Sequence, residues 1–346
     1  MTKSQMENMS SARVRLTADE ARELSRQSLA GLGYTPVESQ VLAEHMLDAA
    51  FCGYEYSGLP KILNVAEQLE RRPAPTPMRV IHETPVSARL HGGGQNGMLT
   101  LHRASEIAIE KAVAGGFAVV GVNHTWMSGR GSYYVEMLAN AGLIGIHTVS
   151  SRPQVAPPGG ARAAIGTNPI SFGFPTEGAP FVIDLGTSAL MFTDLALRAR
   201  RGETLPEGVA IDANGEPTQD PILASMGAVL PFGGHKGFAL GLAMQALGIL
   251  AGSGDDNEER AGYLIIAIRP DLMVPLNEYR RTLSETLARI KATPLQPGVE
   301  SIRLPSERSQ QERERNQRTG IVIDRQVQVA LQRLARGNNE HARSLI

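Results

Sequence analysis

The sequence predicts an α/β protein with a helical layer at its N-terminus. Two observations carry this reading. Paired capping signals open two consecutive helices within residues 17–51. From Val80 onward, short Val/Ile/Gly runs alternate with helical stretches, the texture of a sheet covered by helices.

The elements follow in order. "TADE" at 17–20 places a capping Thr17 three residues before Glu20, a capping box for a helix to about residue 30. "TPVE" at 35–38 repeats the device with Pro36 at the first helical position, and Val41, Leu42, Met46 and Leu47 give that helix an apolar face to about Phe51. A short helix fits Leu59 to Arg71, and "RRPAPTPM" after it is a proline-rich linker. Strand-like runs then appear at 85–90, 117–122, 142–149, 170–175 and 181–185, with helices expected at 99–113 and 132–141. "GFALGLAMQALGILAG" (237–252) is a long apolar helix expected to be buried, "DDNEER" (255–260) an exposed turn, and "YLIIAI" (263–268) a strand. An amphipathic helix follows at 273–292, and the tail from Ser306 to Arg336 holds two helices broken near Gly320, the first very polar and assigned to the surface. The expected division is a helical layer of 1–79 plus 300–346 around an α/β unit of 80–299.

The composition is that of an ordinary soluble domain: 42% hydrophobic and 20% charged residues in a chain of 346. A net charge of −1 gives no broad basic surface for nucleic acid. One cysteine, Cys52, excludes a disulfide framework and a Cys-rich zinc site and fits a reducing compartment; no metal site is expected. No apolar run reaches the roughly 18 residues of a membrane span. The polar start "MTKSQMENMSSARVR" lacks the apolar core of a secretory signal and reads as a frayed end, so a cytoplasmic protein is expected.

Two glycine clusters bear on phosphate binding. "ARLHGGGQNGML" matches G-x-G-x-x-G at Gly92, Gly94 and Gly97. A dinucleotide fold also needs an acidic residue ending the next strand, to hold the ribose hydroxyls. That strand, "FAVVGV", is followed by Asn123 and His124, so the glycines are read as a crossing between the two layers. In "LPFGGHKGFALGL" (230–242), Gly233, Gly234 and Gly237 bracket His235 and Lys236 at a helix start, a better place for an anion.

Taken together, "NPISFGFP" after "AIGT", "FVIDLGTSA", "LPFGGHKGFALGLAMQAL" and "LPSERSQQERE" resemble the malate/L-lactate dehydrogenase family, from about Leu16 to Leu334. The resemblance implies a two-domain α/β fold with its own non-Rossmann nicotinamide-binding domain, a homodimer, NADH or NADPH as cofactor, and reduction of 2-oxo acids or carboxylate-bearing cyclic imines. On the cofactor side it implies Asp184, Leu185, Gly186, Thr187 and Ser188, the pair His235 and Lys236, and Pro305, Ser306, Glu307 and Arg308, where Arg308 offers a planar fork to a phosphate. Trp126 and Ser128 belong to a matching nicotinamide-side loop, whose His124 is either an acid/base group or a packed loop histidine. Thr167, and Thr193 beside Asp194, match the substrate side. The arginine-rich tail favours NADPH.

One stretch departs from the family. Where relatives carry Ser, His and Arg in "GHDSHGLxRL", this chain reads "GYEYSGLPKI", with Tyr56, Ser57 and Lys61 in those places. Carbonyl reduction needs a proton for the emerging alkoxide, which histidine supplies near neutral pH and serine does not. Lys61 still neutralises a carboxylate, as a point charge. Asp194, in "MFTDLALRARRG", matches a family acid or is an exposed helix cap. Three readings stand: a reductase using Tyr54, Tyr56 or His124 as acid; an imine reductase whose substrate arrives protonated; or a nucleotide-binding homologue without turnover.

Overall fold

A computed structural model describes residues 13–254 and 261–337; the start of the chain and the 255–260 turn lie outside the described residues. β1 (Arg13–Leu16) leads into α1 (Ala18–Gly31) and α2 (Pro36–Phe51). Both capping boxes form: Thr17 accepts from the Glu20 amide while Glu20 reaches back, and Thr35 and Glu38 do the same. A 3₁₀ turn (Glu55–Ser57) and α3 (Lys61–Arg71) complete this first layer.

The sheet region follows as β2 (Arg79–Thr84), β3 (Ser87–Asn96), α4 (Gly97–Gly115), β4 (Phe117–Trp126), α5 (Gly131–Asn140), β5 (Ile144–Ser150), β6 (Ile170–Phe174) and β7 (Phe181–Leu185). Next come α6 (Phe192–Arg201), β8 (Ala210–Ile211), α7 (Pro221–Met226), β9 (Ala228–Val229), α8 (His235–Leu250), β10 (Gly262–Ile268) and α9 (Leu276–Lys291). The tail forms α10 (Glu307–Thr319), β11 (Ile321–Asp324) and α11 (Arg325–Ala335).

Seven strands make one sheet in the order β2-β3-β4-β10-β5-β6-β7. β3 and β4 run parallel and the other neighbours antiparallel, which is not the doubly wound parallel sheet of a Rossmann domain. One core joins α1–α3 to the tail: Leu29, Leu42, Met46 and Ile62 pack with Ile323, Leu331 and Leu334, and Met98 and Trp126 reach in from the sheet side. A second core lies under the sheet, from Leu90, Leu101, Val120, Val122, Tyr134 and Ile265. Burying each large side chain contributes about 1.5–3 kcal/mol.

Three expectations are corrected. β3 does not stop near Leu90; it runs through the glycines to Asn96, paired with β4. The break near Gly320 is a strand, β11, which pairs antiparallel with β1 and so stitches the tail to the start. And α8 is not enclosed: Ala239, Leu242, Ala243, Ala246, Ile249 and Leu250 face outward along one side.

Candidate active site

The departing stretch 53–62 forms a tight turn at the end of α2. Gly53 takes φ +81°, and Gly58 packs so close to α2 that an added Cβ would lie 2.8 Å from that of Ala50. Glycine is therefore required at both places. The turn presents Tyr54 and Tyr56, which are 38% and 43% exposed. The guanidiniums of Arg130 and Arg308 lie 4.5 and 5.8 Å from the Tyr54 ring centroid, and the Lys61 ammonium lies 5.1 Å from that of Tyr56. Cation–ring contacts of this kind contribute about 0.5–1 kcal/mol at exposed sites. Lys61 is half-buried, and burial lowers its pKa from the ordinary lysine value. Among the described residues neither Lys61 nor Arg308 has a carboxylate partner. The Ser57 hydroxyl likewise bonds to no described residue. The turn thus offers the Lys61 cation and the Ser57 hydroxyl, with Arg308 from α10 beside it against Tyr54.

The second group of residues forms around the start of α8. Gly233 and Gly234 adopt φ +56° and +61°, and the space a Cβ would fill at each is empty. His235 and Lys236 follow at the N-terminus of a sixteen-residue helix, both exposed and without an acidic partner among the described residues. A cavity of about 580 Å³ opens beside them, lined by Gly159, Gly160, Gly208, Pro231, Gly233 and Gly234. The Lys236, Gly237 and Phe238 amides are taken by the carbonyls of Gly233, Phe232 and Gly234; the open glycine backbone, and a lysine with no acidic partner among the described residues, suit a phosphate-bearing cofactor.

The 184–188 strand end supports this turn from beneath. Asp184 accepts from the Ser132 amide at 2.9 Å, capping α5, and from Ser171 Oγ at 2.8 Å. Leu185 sits opposite Ile170 in the sheet. Thr187 and Ser188 are 1% and 8% exposed; their hydroxyls donate to the carbonyls of Thr167 and Leu190. A Cβ at Gly237 would lie 2.9 Å from the Thr187 carbonyl oxygen, so the strand end and α8 fit closely there only with glycine. Gly186 packs near Met191. Thr167 is buried and supplies the carbonyl that Thr187 binds. These groups set the shape of the α8 turn, and the structure gives most of their polar atoms to the protein itself.

The 305–308 stretch enters α10. Ser306 takes a left-handed φ of 61°, Pro305 precedes it, and Glu307 pairs with Lys291 and accepts from the Leu304 amide at 3.1 Å. Glu307 is therefore a loop clasp, which leaves Arg308 to face Tyr54.

The glycines at 92–97 bring β3 against the end of β4. A Cβ at Gly92 would lie 2.8 Å from the Asn123 and His124 carbonyl oxygens, and one at Gly97 would meet Ser128. Trp126 Nε1 donates to the Gly94 carbonyl at 3.0 Å. Trp126 is 5% exposed in the helical-layer core with Arg72 over its ring, so its ring has little open face for a cofactor. His124 stacks on His91 at 4.1 Å, and the Ser128 carbonyl accepts the Tyr134 hydroxyl. Asp194 lies in the first turn of α6 behind the capping position Met191, so it is not the cap; its carboxylate has no partner among the described residues. The Thr193 side chain lies outside the described residues. Among the described residues no hydrogen bond, ion pair or ring contact joins Asp194 or Thr167 to the 53–62 turn.

The sequence reading missed Arg130, Asp48 and His45. Arg130 donates to Asp48 at 2.7 Å and its amide donates to His45 Nε2 at 2.9 Å. His45 and Asp48 sit on an α2 face that reads as amphipathic core, and Arg130 in a glycine loop, so spacing alone carried no signal.

The profile of the family described as malate/L-lactate dehydrogenase matches residues 16–332. The L-sulfolactate dehydrogenase of Methanothermobacter thermautotrophicus is 33% identical over 86% of this chain and 92% of its own length. The Delta(1)-pyrroline-2-carboxylate/Delta(1)-piperideine-2-carboxylate reductase of Pseudomonas aeruginosa is 32% identical over 90% of this chain and 96% of its own. The solved sulfolactate dehydrogenase of Methanocaldococcus jannaschii superimposes with a TM-score of 0.84 at 28% identity, covering 95% of this chain and 98% of that one. With this match spanning both layers, the chain belongs to the malate/L-lactate dehydrogenase family of NAD(P)-dependent dehydrogenases and reductases.

Proposed function

We propose that this chain reduces cyclic imino acids, five- or six-membered Δ1-imine-2-carboxylates, with NADPH favoured over NADH. The observation that carries the reading is Ser57, in a turn where the cation Lys61 stands uncompensated and no histidine is present. A ketone needs a proton as hydride arrives; a protonated imine already holds it on nitrogen, and hydride on its carbon leaves a neutral amine. Bound nicotinamide supplies the hydride. Gly233, Gly234, His235, Lys236 and Arg308 would hold the cofactor's phosphates, and Lys61 would take the substrate carboxylate. Asp194, whose carboxylate has no partner among the described residues, would balance the charge of the iminium.

The malate and sulfolactate dehydrogenases among the relatives favour a second reading, a 2-oxo acid reductase with Tyr54, Tyr56 or His124 as proton donor. The two separate in the variant Ser57→His. The imine reading expects 2-oxo acid reduction to rise by about tenfold or more while imine reduction moves little, since a general acid contributes about 10²–10⁴-fold where a proton is needed. Equal changes for both substrates would refute it.

The same proposal includes a homodimer. Leu242, Ile249 and Leu250 on α8 are 44%, 64% and 62% exposed on one apolar side, and a second copy covering that side would also lie next to Lys236. A cytoplasmic location belongs to the same reading and rests on the single cysteine.

A further inference from the structure

Four charged side chains from four elements meet beside Tyr54. Asp48 comes from α2, Arg130 from the loop after β4, Glu136 from α5 and Arg313 from α10. Arg130 Nη1 donates to one Asp48 oxygen at 2.7 Å, and Arg313 Nη2 lies 2.9 Å from the other. Arg313 also grips Glu136 with both terminal nitrogens, at 2.5 and 2.7 Å, and its Nε faces the Cys52 sulfur at 3.3 Å. The four side chains are 15–23% exposed. Burial pushes the Asp48 carboxyl upward against the pull of its two guanidiniums.

Two guanidiniums and two carboxylates sum to zero, so the cluster attracts no ligand of its own. Buried ion pairs also add little net stability, because desolvation offsets their attraction. What the cluster does is fix positions. The Arg130 guanidinium held by Asp48 is the one lying 4.5 Å from the Tyr54 ring centroid. Arg313 stands on the same helix as Arg308, the other guanidinium against that ring. Asp48 therefore holds directly the cation that lies nearer the Tyr54 ring, and Arg313 ties α10 to Asp48.

We propose that Asp48 and Arg313 are positioning residues that hold Arg130 against Tyr54 and so set the 53–62 turn that presents Lys61 to a substrate carboxylate. The inference rests on the reading that this turn meets the substrate, but not on which carboxylate is reduced.

The test uses the full-length protein and whichever carboxylate the wild type turns over best. Trp126 is the chain's single tryptophan, so its energy transfer to bound NADPH reports cofactor affinity separately. Asp48→Asn is expected to raise KM by about tenfold, with kcat within about threefold and NADPH affinity within about twofold. Asp48→Glu should recover part of the KM. If Asp48→Asn does not fold, Arg130→Lys decides: it keeps a charge toward Asp48 but loses the flat face on Tyr54, and the same rise in KM is expected. An unchanged KM in the folded variants overturns the proposal. So does a loss of NADPH affinity with KM unchanged, which would place the cluster on the cofactor side.

Discussion

His45 makes the fold sensitive to acid. Its ring is fully enclosed on α2 between Tyr133 and Tyr134, with centroids 4.5 and 5.3 Å away. Nε2 accepts the Arg130 amide at 2.9 Å, so the neutral ring carries its proton on Nδ1, which reaches no partner among the described residues. Burial, with the Arg130 charge and His102 adding to it, lowers its pKa to about 3. The unfolded chain protonates near pH 6.5 and the folded one does not until near 3. Stability from this group is therefore whole above 6.5 and lost as pH falls, at about 1.4 kcal/mol per pH unit. From pH 6.5 to 4.5 that is about 3 kcal/mol. His45→Gln keeps an acceptor for the Arg130 amide and takes up no proton. His147, lowered to about 4 by burial, acts in the same direction but is present in both proteins and cancels in the difference. The assay is urea unfolding of both proteins at fixed concentration from pH 7 to 4.5. The gap between them should close or reverse by about 3 kcal/mol as pH falls. Parallel pH dependences would refute the assignment of an enclosed, neutral His45.

Lys236→Ala combined with Arg308→Ala should weaken NADPH binding by tenfold or more, about 1.4 kcal/mol, as read by nucleotide fluorescence; equal affinity would remove the α8 turn and Arg308 from the cofactor site. Gly94→Ala, at φ +72° and in open space, should lose about 1 kcal/mol of stability yet keep its nucleotide affinity. A folded Gly94→Ala that binds tenfold more weakly would return the Rossmann reading of that stretch. Leu242→Glu with Ile249→Glu should give a monomer by light scattering at micromolar concentration where the wild type is a dimer; a wild type that is an active monomer would contradict the dimer.

The elements with local signals were legible. Thr17, Thr35 and Pro36 announced their helices because a cap is a local hydrogen bond, and "FVIDL" is β7 residue for residue. β1 and β11 were not legible: each is four residues long and exists because the other is there, Arg13 pairing with Asp324 and Leu16 with Ile321 from opposite ends of the described chain. The outward face of α8 was missed because an apolar helix reads as core whether its cover is the same chain or another copy. At the site, Lys61 and Lys236 carried chemistry in their residue types, and neither has a carboxylate partner among the described residues. The Asp48–Arg130–Arg313–Glu136 cluster was invisible, since its members are scattered over four elements and a charged side chain ordinarily reads as solvated surface. The polar tail illustrates this: Arg313, in a helix assigned to the surface, turns inward to Glu136.

Ser57 in the place of a proton donor should leave this enzyme fitted to substrates that bring their own proton. Initial rates of NADPH oxidation by the wild type, with a five- or six-membered Δ1-imine-2-carboxylate and with pyruvate-like 2-oxo acids, test it directly. The expected kcat/KM for the imine is about a hundredfold or more above that of any 2-oxo acid, the scale of a missing general acid. A 2-oxo acid that exceeds every imine in kcat/KM would contradict it and make Tyr54, Tyr56 or His124 the proton donor.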